Sequence, residues 1–205
     1  MYGLGYKPCL ADPELWLKPE VRDNGVDYYS YILCYFCDIL VVHHNSSPAS
    51  DSIDQFTKLK EGSLGDSDIY LGAKFKKVQI SNDVWCWSLS QSKYVQEAVQ
   101  NRQNHLKENY SGKYELFVNA PNPFPLGYKP DMDVSPLLWP DKASYYQTII
   151  GVMRWMVKLG CVDISVEVSQ LSSFIDMPRK RHMVSTLHIM SYLGIRHSSL
   201  LVLDT

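Results

Sequence analysis

The sequence predicts an α+β fold, with strands up to about Ser90 and helices after it. Three observations lead there. Tyr28 to Val42 is a run dense in aromatic and β-branched residues, which suit a pleated, buried surface. Ile69 to Ile80 alternates apolar and polar residues, the strand period. From Gln91 onward the apolar spacing becomes helical, with Val95, Val99, Arg102 and Leu106 on one mostly apolar stripe. The 205 residues allow one domain or one and a half at about 150 residues each.

Taken in order, residues 1–27 read as loop, because Pro8, Pro13 and Pro19 punctuate them and Asn24-Gly25 is a turn signal. The Tyr28–Val42 run is long for one strand, so a hairpin folding back near Phe36-Cys37 is expected. A weakly patterned helix is expected from Asp51 to about Lys60. The next strand puts Ile69, Leu71, Ala73 and Phe75 on one face and Tyr70, Lys74 and Lys76 on the other. Ser81-Asn82-Asp83 turns it into a return strand from Val84 to Leu89, with Trp85 and Trp87 sharing a face. Ser90 caps a helix from Gln91 to about Asn109. Residues 117–140 hold six prolines and read as an extended connector. Three helices follow: Asp141 to Leu159, stopped by Gly160; one from near Asp163; and one from near Pro178, ended by Gly194. Ser199 to Leu203 reads as a final strand.

Composition narrows the function classes. Hydrophobic residues are 45% and charged residues 20%, which excludes global disorder. The net charge of −2 excludes a chain that is basic throughout. Charge is uneven, however: net −5 over residues 1–54 and net +2 over 55–115, so a polyanion would have to meet the later segments. Five scattered cysteines make no disulfide framework and suit a reducing intracellular compartment, cytoplasmic or nuclear. The longest apolar run is too short for a membrane span, and no membrane partner is expected.

Several residues invite chemistry. Cys34-x-x-Cys37 suggests a thiol- or zinc-dependent interaction module, but a structural zinc needs four ligands of suitable spacing, and two ordinary buried thiols explain the pair better. His43-His44 follow on a strand, where neighbours face opposite ways and cannot hold one ion together. Arg179-Lys-Arg-His182 puts positive charge at a helix start against the dipole, which either serves an anionic partner or is a solvated end. Lys58, Lys60, Lys74, Lys76 and Lys77 lie near Trp85 and Trp87, a mixture that suits nucleic-acid backbones or a lysine-guarded sheet edge. Asp38 is the most informative, because a carboxylate in an apolar run must be solvated or paired. A hairpin tip would expose it, and acids held this way can bind metal ions for phosphoryl transfer.

Tyr35-Phe36-Cys37-Asp38-Ile39-Leu40-Val41 resembles the Tyr-x-Asp-Asp-Ile-Leu-Val hairpin of copia-type retrotransposon reverse transcriptases. Ala11-Asp12-Pro13-Glu14-Leu15-Trp16 resembles that family's Ala-Asp-Pro-x-Leu-Trp segment. Tyr70-Leu71-Gly72 is similar to its Phe-Leu-Gly primer-grip strand, and Leu89-Ser90-Gln91-Ser92-Lys93-Tyr94-Val95 to its Leu-Ser-Gln-x-Lys-Tyr thumb start. Tyr146 to Gly151 with Trp155 resembles the Tyr-x-x-x-Ile-Gly-x-x-x-Tyr helix. Asp163-Ile164, Leu171-Ser172-Ser173 and Pro178 match the helices that follow. The pieces stand in the family's order along nearly the whole chain.

The resemblance implies part of a polymerase right hand: residues 1–75 a partial palm sheet of β-hairpins, and 76–115 the primer-grip return strand and thumb helix. Residues 116–140 would be the proline-rich connector, and 141–205 a helical connection segment ending before a ribonuclease H domain that is missing. Fingers and early palm are also expected to be missing, as after a truncation or internal deletion. The implied catalytic positions are Asp38 and Cys37, the latter where the family has the first aspartate of its pair. Asp38 is then the one residual metal ligand, and a thiol replaces a hard oxygen poorly. The resemblance thus implies an RNA-directed DNA polymerase relative that does not polymerise, with no cofactor, or magnesium were activity retained. Its implied partners are an RNA or DNA primer–template, held weakly through Tyr35, Tyr70, Leu71, Gly72, Lys74 and Lys93, and other parts of a Pol polyprotein.

Overall fold

The computed structural model describes residues 1–35, 38–44, 69–81, 84–110, 116, 120–198 and 200–203. It is mixed α and β, and it divides into two compact units, Met1–Leu71 and Gly72–Thr205. The helix expected over Asp51–Lys60 lies outside the described residues.

The first unit is an antiparallel sheet in the order β1 (Lys7–Pro8), β2 (Leu15–Val21), β3 (Asp27–Tyr35), β4 (Asp38–Val42). The two-residue strand β5 (Ile69–Tyr70) follows in sequence and is the first strand of the other sheet. Reading residues 1–27 as loop is corrected here, since β2 pairs with β3 from Leu15↔Leu33 to Val21↔Asp27. Pro19 misled the reading, because proline cannot donate to a ladder. It is tolerated because β1 pairs only with Trp16 and Leu17, so β2 is an edge at Pro19. Gly25 supplies the turn between β2 and β3 with φ +80. Ser30, Ile32 and Cys34 share the inner face by the period of two, and Ile32 and Tyr6 form a small core with Trp16, Ile39 and Val41 against it. Ser30 is buried there and donates its hydroxyl to Tyr6 Oη at 3.0 Å, which offsets the cost of its burial.

In the second unit β6 (Ala73–Ser81) and β7 (Val84–Ser90) form a hairpin, and β8 (Leu200–Leu203) pairs on the far side of β7. The expected single strand from Ile69 to Ile80 is broken at Leu71-Gly72, whose φ values are +53 and +87. A left-handed pair ends the extended run whatever its alternation. Helix α1 (Ser92–Tyr110) follows, with Ser90 Oγ accepting from the Ser92 N–H at 3.4 Å. Then come α2 (Pro140–Lys158), α3 (Ser165–Ser172) and α4 (Lys180–Arg196). Their apolar stripes meet in one core built on Val95, Leu106, Tyr146, Ile149, Ile150, Met153, Leu171, Ile189, Met190 and others. Gly160, at φ +114, ends α2 as expected. Gly194 does not end α4, which continues to Arg196. A Cβ there would sit 3.4 Å from Val99 Cγ1, so the glycine serves the close approach of α4 to α1. The connector is not featureless: Pro130–Met132 is a 3-10 turn, and Leu137 bridges Arg179 at the start of α4.

Candidate functional site

The chain reverses between Tyr35 and Asp38, which face each other as the last register pair of β3 and β4. Two residues at the reversal fit the expected hairpin. They are Phe36 and Cys37, which lie outside the described residues. Asp38 begins β4 and is exposed, as its charge requires. Its field reaches Tyr70, whose hydroxyl pKa is raised by burial first and then by Asp38, Cys34, Glu14 and Asp12. Tyr70 is 9% exposed, so its ring is packed rather than presented to a ligand.

Cys34 lies on the inner face beside Ile32, and its amide donates to Glu14 O at 2.9 Å. Burial pushes its thiol pKa up, with the N-terminal ammonium opposing. That is the environment of an inert packed thiol, not of an activated thiolate. His43 and His44 depart from the expectation that they face opposite ways. Both rings meet Tyr28 edge-on, at 5.7 and 6.1 Å, and Tyr28 Oη lies 3.1 Å from His43 Nε2. Strand alternation does not govern them because β4 stops at Val42. Among the described residues, no group of three His, Cys, Asp or Glu side chains converges to hold a metal ion.

The remaining candidates belong to the second unit. Gly72 lies 3.8 Å, measured from an added Cβ, from the Tyr94 ring of α1, so the turn rests on the helix that follows the hairpin. Lys74 is exposed on β6. Lys93 is exposed in the first turn of α1, 3.9 Å from Glu97, a contact of small energetic weight. Tyr35, Asp38, Tyr70 and Leu71 thus belong to one unit, and Gly72, Lys74 and Lys93 to the other. Lys58 and Lys60 lie outside the described residues.

The basic cluster at α4 is corrected in part. Lys180 and Arg181 are exposed, but His182 is wholly buried. Its Nδ1 accepts from the Arg179 N–H at 3.1 Å, so the ring proton sits on Nε2, facing Pro130 O at 3.3 Å and Asp133 Oδ2 at 3.6 Å. Burial lowers the His182 pKa, outweighing the raising effect of Pro130 O and Asp133, and keeps the ring neutral near pH 7. Burial works the other way on Asp133. The two Ser135 bonds, His182 and the Tyr128 hydroxyl outweigh it and hold the carboxyl below its ordinary range. Arg179 spends a guanidinium N–H on Ser135 O at 2.6 Å. Arg179 and the neutral His182 thus tie the connector to α4, while Lys180 and Arg181 stay on the surface. Sequence reading missed the tie because Asp133 and His182 are 49 positions apart. The available signal was a histidine at a buried helical spacing with Met183, Thr186 and Ile189.

No helix among the described residues is long and apolar enough to cross a membrane. Comparison with protein-family models, with curated proteins and with solved structures finds no match for this chain.

Proposed function

We propose that this chain is late palm, thumb and connection of a copia-type retrotransposon reverse transcriptase, and that it holds primer–template weakly without extending it. The observation that carries the reading is the β3–β4 hairpin, whose reversal spans the Tyr35-Phe36-Cys37-Asp38 motif and leaves Asp38 exposed beside it. It is supported by the left-handed turn at Leu71-Gly72 and by the helix that starts after Leu89-Ser90-Gln91, both at the positions of family motifs.

Loss of polymerisation follows from the chemistry of the tip. In-line nucleotidyl transfer uses two divalent ions roughly 3.5–4 Å apart to neutralise attacking and leaving oxygens. Positioning and charge stabilisation supply nearly all of that catalysis. The motif offers one carboxylate, Asp38, and a thiol at the neighbouring position. A primer-extension assay with magnesium or manganese tests this: templated extension by the chain as it stands would refute it. Binding to a labelled RNA or DNA primer–template should fall steeply with salt. Absent or salt-insensitive binding would remove the grip from the reading.

A further inference from the structure

Asn24-Gly25, which turns the chain from β2 into β3, is also the one Asn-Gly pair in the sequence. An asparagine side chain can be attacked by the backbone nitrogen of the next residue, and a glycine there has no Cβ to obstruct the ring that forms. Residues 21–27 are all exposed, so water reaches the turn and no packed neighbour resists its movement. Asn24 Oδ1 already accepts the Val26 N–H at 3.2 Å. That donor polarises the side-chain carbonyl and stands where an oxyanion on Oδ1 would develop. One contact opposes the attack: the Gly25 N–H is donated to Arg22 O at 2.8 Å. A single exposed bond of this kind slows the reaction by a factor of roughly ten or less.

We propose that Asn24 is a site of spontaneous deamidation and isomerisation that loosens the β2–β3 hairpin. The Gly25 nitrogen forms a bond to Asn24 Cγ, the Cγ–Nδ2 bond breaks, and Nδ2 departs as ammonia carrying the Gly25 proton. Water then opens the cyclic imide at one of its two carbonyls. Opening at Cγ leaves aspartate. Opening at the backbone carbonyl leaves isoaspartate, with the main chain running through Cβ and Cγ. Both products add a carboxylate between Asp23 and Asp27. The second also adds a carbon to the main chain, inside a turn closed by Arg22 N–H to Val26 O at 2.9 Å and by Gly25 N–H to Arg22 O. The longer link cannot keep both bonds, and the β2–β3 ladder loses its closed end beside Val21↔Asp27. Water is the only co-reactant, and the reaction involves neither Cys37 nor Asp38.

The test is incubation of the full chain at pH 8 and 37 °C, with the free peptide Arg-Asp-Asn-Gly-Val-Asp as the reference for an unrestrained turn. Mass spectrometry follows the amide-to-acid gain at residue 24, and enzymatic methylation counts the isoaspartate. Asn24 should convert faster than every other asparagine in the chain, and no more than about tenfold slower than the peptide. Asn24→Gln, whose cyclisation needs a larger ring, should lose the conversion while keeping the fold by circular dichroism. Hydrogen exchange at the Arg22 amide should rise several-fold in the aged chain and stay constant in Asn24→Gln aged beside it. Conversion slower than that bound, another asparagine converting first, or isoaspartate at residue 24 with unchanged exchange at Arg22 would overturn the proposal.

Discussion

Replacing His182 by alanine should destabilise the second unit by roughly 3–5 kcal/mol. The ring is wholly buried, with Phe174 4.3 Å from it between centroids. Removing it deletes a bond from the Arg179 N–H at 3.1 Å and one to Pro130 O at 3.3 Å, each worth about 1 kcal/mol. It also leaves the Asp133 carboxylate, 3.6 Å away, without its imidazole N–H inside the fold, about 1–3 kcal/mol more. Urea unfolding followed by helical circular dichroism measures the sum as a shift in midpoint at constant slope. The pH dependence carries an independent sign. The folded pKa of His182 lies below 6.5, so the unfolded chain binds the proton more readily. Its contribution is fully present above pH 6.5 and is lost as pH falls from there toward the folded value. His182→Ala should flatten that slope. A loss under about 1 kcal/mol, or an unchanged slope below pH 6.5, would refute the tie between connector and helix.

Two further outcomes follow from the packing of the same unit. Gly160→Ala should cost about 1–3 kcal/mol in the same unfolding measurement, because φ is +114 and the new Cβ would lie 3.2 Å from Leu201 Cδ2 and Gln91 Nε2. An unchanged midpoint would contradict the close approach of β8. Cys161 should resist iodoacetamide at pH 8 in the native protein and react in urea. Burial, and then the charge of Asp163, push its thiol up from 9.0 to about 12 despite the bond to Gln91, which cuts the thiolate fraction roughly a thousandfold. Native labelling as fast as in urea, read by mass spectrometry, would refute that burial.

Local signals reached far along this chain. The period-2 pattern and turn residues place β3, β4, β6 and β7, and the helical stripes with Ser90 and Gly160 bound α1 and α2 within a residue or two. The exposed position of Asp38 was legible because a charge in an apolar run has few places to go. The misses share a cause. Pro19 sits in β2, which only the shortness of β1 permits. Gly194 sits inside α4, which only the nearness of Val99 explains. His182 is buried against Asp133, which only the fold of the connector brings within reach. Each is a residue whose local preference was outvoted by a partner distant in sequence.

What the sequence by itself determined was most of the element order from β3 onward and the chemistry of each candidate residue, cysteine at position 37 among them, because propensity, periodicity and side-chain identity are properties of short windows. Tertiary structure decided which polar groups are satisfied and which stay outside. It turned His182 inward and left Trp85 and Trp87 facing out, since burial is set by what packs against a face and not by the face alone.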